Sequence, residues 1–258
     1  MTTQPILFVS HGAPSLAISD TPARRFLADY GAALPKPGAI AVVTAHWETD
    51  QPTVGGAATP ATIHDFGGFP EALYRIRYAA PGAPELAQTI AARLRAAGMT
   101  AAVDPQRGLD HGAWVPLSLL FPLADVPVVP VSVQPRLGPA HAIALGRALA
   151  PLKDEGVLIV ASGALTHNLR ALDWAVGEAD LADPRALAFA DWVDMAIEHD
   201  DRDALLDYRG HAPFARFHHP TEEHLLPLFA ALGAGGRGKR IHTSATFGNL
   251  MMDAYEFS

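Results

Sequence analysis

Four histidines in this chain stand where chemistry could be built. His11 follows directly on ILFVS (6–10), and His46 closes AIAVVTAH (39–46). His167 comes just after VLIVASG (157–163), and His224 lies in TEEHLLPL, which reads as the opening of a helix. The three apolar runs have the composition of buried strands. In open α/β sheets, ligands collect outside the carboxyl ends of strands. Three strand ends thus deliver an imidazole toward one sheet edge. The chain has no cysteine, so any metal must be held by His, Asp or Glu. Several neutral imidazoles suit Fe(II), Zn(II) or Mn(II) better than Ca or Mg. Three His, or two His and a carboxylate, leave positions open for water, a chelating substrate or O2. A fourth His nearby would serve as general base, because imidazole titrates near neutral pH. Taken singly, a histidine after a strand is more often a cap or a satisfied, partly buried residue. The joint placement is what argues for a centre.

The elements that must position these residues alternate. A further strand-like run is VPVVPVSVQ (126–134), where Pro127 and Pro130 predict irregularity or a place near an edge. Helical patterns occupy 20–34, 83–98, 139–156 and 183–200. The first opens on an Asp or Thr cap with Pro22 in its first turn, and the second carries Leu86, Ile90 and Leu94 on one face with Gly98 as its stop. Strands alternating with helices predict an α/β fold with a largely parallel sheet, over residues 1–258 as one domain. The Gly-, Pro- and Thr-rich segment 47–80 is too long for a bare loop; it is expected to carry short strands or form an active-site wall. GGRGKR (235–240) reads as a mobile basic turn, since it lacks the preceding strand and following Ser/Thr of a P-loop.

Composition narrows the function classes. The 258 residues are 49% hydrophobic and 18% charged, ordinary for a globular protein able to bury a core without staples. A net charge of −8, with acids dispersed, argues against nucleic acid or an anionic membrane as the main partner. No signal-like leader and no run of about 18 apolar residues is found, so a cytoplasmic protein is expected. ASGAL is not a G-x-S-x-G elbow, which removes the Ser-His-Asp reading.

Six segments occur in order: SHGAPS (10–15), TAHWET (44–49), HDFGGFPEALYRIRYAAPGAPELA (64–87), GLDHGAWVPL (108–117), ASGALTHNLR (161–170) and PTEEHLLPLFAALGA (220–234). Together they resemble the class III extradiol ring-cleavage dioxygenases of the DOPA-dioxygenase type, over nearly the whole chain. The resemblance implies a three-layer α/β/α fold on a mixed, mostly parallel sheet. It implies one metal ion per chain, Fe(II) for ring cleavage, with Zn(II) often assigned in bacterial relatives. His11, His46 and His224 match its ligands, His167 its base and His111 its further active-site histidine. Glu223 competes with His224 as third ligand, because more distant class III enzymes use a Glu there. His224 is preferred, with Glu222 or Glu223 orienting it. His167 is either the base or a fourth ligand.

A small aromatic diol and O2 are the expected partners. Asp110 is expected to orient His111, while Trp114 and Phe69 either wall the substrate ring or pack in the core. His218 and His219 are expected at the mouth, His64 as a loop hydrogen-bonder, and His141, His199 and His242 at the surface. Because zinc has no redox change, a zinc hydrolase and a non-catalytic metal-binding protein are the alternatives.

Overall fold

The computed structural model describes residues 2–258. Its strands are β1 (Ile6–Ser10), β2 (Ala39–Glu48), β3 (Thr53–Gly55), β4 (Ala102–Asp104), β5 (Val128–Val133), β6 (Val157–Gly163), β7 (Gly238–His242), β8 (Ala245–Thr246), β9 (Leu250–Met251) and β10 (Ala254–Phe257). Eight of them form one sheet in the order β4-β3-β5-β2-β6-β1-β10-β7, and β8 pairs with β9 apart from it. The four central strands β5, β2, β6 and β1 run parallel, while β3 and β10 flank them antiparallel. The sheet is therefore mixed and mostly parallel, as expected.

Side chains alternate across it. Ile6 and Phe8 enter one core, while Leu7 and Val9 enter the other. Ala41 and Val43 of β2 face the first core, and Ile40 and Val42 the second. Strands buried on both faces read as unbroken apolar runs, which is why β1, β2 and β6 stand out in the sequence. Helices Pro84–Ala96, Gly138–Leu149, Pro184–Glu198 and Leu226–Gly235 cover one face, and Pro22–Ala33 with His111–Leu120 the other. This is the three-layer arrangement. The caps fit: Thr21 accepts from Arg24 N and Asp183 from Arg185 N, each ahead of a first-turn proline. Among the described residues, no helix is long and apolar enough to cross a membrane.

One expectation holds by one of its alternatives and one is corrected. β5 lies third from the edge, and its pairing with β2 is irregular, as its prolines allowed. Its proline is accommodated because β3 pairs with it only at Val54↔Val131, and Gly55 leaves the space that the Pro130 ring fills. The basic segment is not simply a turn, since Gly238–His242 forms edge strand β7 and Arg240 reaches Asp194 at 2.8 Å. Segment 47–80 carries β3 and one short helix, Glu71–Arg75, and supplies a wall of the site below.

Candidate metal centre

His11, His46 and His224 meet with their Nε2 atoms facing one another. His46 Nε2 lies 3.0 Å from that of His11 and 3.2 Å from that of His224. Each ring is held from behind. Ser162 Oγ donates to the Gly112 carbonyl, so it accepts from His11 Nδ1 at 3.0 Å. His46 Nδ1 lies 3.2 Å from Asp65 Oδ2, and His224 Nδ1 2.9 Å from Glu223 Oε1. Ionised carboxylates only accept, so Nδ1 carries the proton in these rings and the Nε2 lone pairs point inward. Inward lone pairs at this spacing repel unless a cation sits among them. Nitrogens each about 2.0–2.1 Å from one ion stand roughly 3.0–3.4 Å apart, which matches. Burial first, then the neighbouring imidazoles, holds His11 and His224 well below the usual imidazole range, so both are neutral donors. Three such imidazoles fit a borderline divalent ion.

The backbone explains how residues so far apart converge. Pairing of β2 with β5 jumps from Val43↔Val131 to Glu48↔Val133. That bulge falls where His46 lies, and bulges re-aim side chains. Gly112 sits against His46, where a Cβ would come within 2.8 Å of its Cδ2. At the end of β6, a Cβ on Gly163 would stand 2.2 Å from the His224 carbonyl oxygen. That carbonyl accepts from Ala164 N at 2.8 Å, pinning the loop to the strand end. His224 is not in a helix, as had been expected; it lies in the turn before helix Leu226–Gly235. Freed from helical geometry, Glu223 bonds the back of the His224 ring, while Glu222 accepts from Tyr208 and Arg209.

Asp65 was not foreseen, and it ties the site together. Its Oδ1 accepts from both the backbone N and Nδ1 of His111, each at 2.9 Å, while Oδ2 faces His46. Burial pushes its carboxyl up, but the hydrogen bonds from His111 and His46 outweigh this and keep it ionised far below the usual range. Only the motif HDFGGFP, in a loop without periodicity, could have pointed to it. Asp110 does not orient His111. It caps helix His111–Leu120 through Ala113 N and binds Thr44 and Arg107.

His111 lies close to the triad, its ring centroid 3.9 Å from that of His46. Potential ligand atoms of His11, His46 and His111 all fall within 4.8 Å of one another. The directly facing nitrogens nevertheless belong to His11, His46 and His224, and the His111 Nδ1 is spent on Asp65. His167 stacks on His224, centroids 3.4 Å apart and planes 9° from parallel. An imidazole lone pair lies in its ring plane. A point in the plane of the His224 ring is therefore well out of the plane of His167, which disfavours a shared ion in this pose. Burial lowers His167 to about 4 despite the opposing pull of Glu223.

A cavity of 390 Å³ opens at these residues, with His11, His46, Asp65, His111, His167 and Phe69 in its lining. Trp114 is fully buried and donates to the Ile63 carbonyl, so it is core. His218 and His219 are also fully buried rather than at the mouth; His219 Nε2 lies 2.8 Å from the Leu165 carbonyl. His64 does bond a loop carbonyl, that of Ile76. His242 is half-buried and stacks on Phe26 at 4.5 Å rather than standing free at the surface.

Residues 6–255 match the family described as the catalytic LigB subunit of aromatic ring-opening dioxygenase. The chain belongs to this family. Among its relatives, a Beta vulgaris protein named 4,5-DOPA dioxygenase extradiol is 43% identical over 97% of this chain and 95% of its own. An Escherichia coli K12 protein of the same name is 40% identical, over 90% and 86%. A solved structure of an uncharacterized Escherichia coli K12 protein superposes with a TM-score of 0.82 at 32% identity, covering 99% of this chain and 100% of that one. The resemblance carried by the six motifs is thus borne out: this LigB-family chain is a ring-cleaving dioxygenase of the extradiol type.

Proposed function

We propose extradiol cleavage of a catechol-type diol by O2 to a semialdehyde, for which His11, His46 and His224 would hold one divalent ion, Fe(II) in the active form. The inward convergence of three Nε2 atoms, each ring fixed by an acceptor behind it, carries this reading. When bound, Fe(II) supplies chelation, a lowered phenol pKa and the electron relay to O2 that Zn(II) lacks.

His167 is the general base. It is neutral at pH 7, and its ring borders the cavity. On taking a phenolic proton it becomes an imidazolium in the field of Glu223, which favours that charge. The same nitrogen then holds the proton ready for return to an oxygen of the opening ring. His111 keeps its Nδ1 hydrogen on Asp65, which leaves Nε2 as its free polar atom for substrate or dioxygen. Phe66 stands edge-on to His111 at 5.6 Å.

The test is anaerobic loading with Fe(II), then air and a panel of catechols. A yellow semialdehyde is the expected product. No product across the panel, together with ester or amide hydrolysis by the Zn(II) form, would overturn the proposal.

A further inference from the structure

The polar side chains lining the cavity are His11, His46, Asp65, His111 and His167. The rest of its lining is apolar and includes Leu169, Leu172, Trp174, Phe247, Leu250 and Met252. Among the described residues, no Lys or Arg lines it, and its one charged side chain is Asp65. The rim leaves large apolar surface uncovered: Trp174 is 72% and Leu169 60% exposed. Trp174 leans edge-on against Phe247 at 5.1 Å.

We propose that the ring substituent this cavity accepts is uncharged and apolar, so that the substrates are alkyl- or aryl-substituted catechols rather than catechols bearing a carboxylate. This rests on the ring-cleavage reading above. The charges decide it. The carboxylates of Asp65 and Glu223 already stand behind His46 and His224. A carboxylate on the substrate would find no cation in the lining, would face Asp65, and would lose its water against hydrocarbon. An unpaired charge in apolar surroundings is strongly disfavoured. An apolar substituent instead covers the exposed faces of Trp174 and Leu169 and gains from leaving water. The relatives named for DOPA act, by name, on a catechol with a charged amino-acid side chain. The walls described here offer that charge no counterpart.

The test uses the Zn(II)-loaded protein, which binds catechols without turnover in air, and a ligand pair differing by one charge. Dihydroxyphenylpropanoate and its methyl ester are titrated by calorimetry and by the fluorescence of exposed Trp174, with Trp174→Phe identifying that signal. The ester should bind about tenfold more tightly or better, as expected for an unpaired charge in an apolar cavity. Leu169→Lys, which puts a cation on the rim, should narrow the gap by tightening the acid. Equal or tighter binding of the acid, or a gap that Leu169→Lys leaves unchanged, overturns the proposal and leaves ring cleavage standing. Binding of neither ligand, nor of methylcatechol, overturns the ring-cleavage reading with it.

Discussion

Replacing Asp65 with Asn removes one charge and almost no volume, yet it should cripple metal binding. Asp65 accepts two hydrogen bonds from His111 at 2.9 Å with one oxygen, and its other oxygen lies 3.2 Å from His46 Nδ1. Asparagine has a single acceptor oxygen. The two shorter bonds keep that oxygen on His111, which turns the amide NH2 toward His46 Nδ1. Two donors then face each other. His46 can relieve this only by moving its proton to Nε2, which withdraws its lone pair from the centre. Loss of such a partner behind a ligand histidine costs roughly 10–100-fold in metal affinity, or about 1.4–2.7 kcal/mol. The assay is Zn(II) competition against a chromophoric chelator, with circular dichroism to confirm the fold. Asp50→Asn, whose exposed partner Arg136 is 3.5 Å away, is the control. A folded Asp65→Asn protein with affinity within about twofold of the parent would refute the tautomer argument, since the expected loss starts near tenfold.

His167→Ala should keep its metal and lose roughly 100- to 10,000-fold in turnover, the usual worth of a general base. Weakened metal retention by elemental analysis would mark His167 as a ligand instead. Gly163→Ala forces a methyl to 2.2 Å from the His224 carbonyl, so urea unfolding should show a loss of about 1–3 kcal/mol; unchanged stability would show that the strand end can yield. Asp253 is buried with Oδ2 unpartnered, and burial raises its carboxyl from the ordinary 3.8 to about 7 despite Arg240. A raised carboxyl favours the folded state fully below pH 3.8, and that contribution disappears as pH climbs through about 7. Its full size is about 4 kcal/mol, with the pull of Arg240 already included. Asp253→Asn should therefore flatten the decline in stability across that window, and an identical pH profile in parent and variant would contradict this.

What the sequence reveals follows from what is periodic or unbroken. β1, β2 and β6 are buried on both faces, so their apolar runs and the histidines at their ends are visible at once. Helix His111–Leu120 is not, because all but Ser118 is buried and Pro116 lies inside it, erasing both amphipathic pattern and propensity. The β2 bulge that turns His46 arises from mismatched register with β5, a property of two strands together. Asp65 comes from a loop whose path is fixed by tertiary contacts. His218 and His219, just before Pro220, read as lining the mouth of the site, yet the fold packs both against Phe189. His11 and His46 were legible because strands place them, and His224, with adjacent Glu223 behind it, through the resemblance of its motif; Asp65 and Ser162 behind the other two rings were not, because hydrogen-bond partners distant in sequence leave no local pattern.

The most direct measurement is an anomalous difference map from a crystal loaded with Zn(II) or, anaerobically, Fe(II). One peak per chain is expected, about 2.0–2.1 Å from the Nε2 atoms of His11, His46 and His224 together. A peak bound to any other set of side chains, or no peak at full loading, would contradict the centre described here.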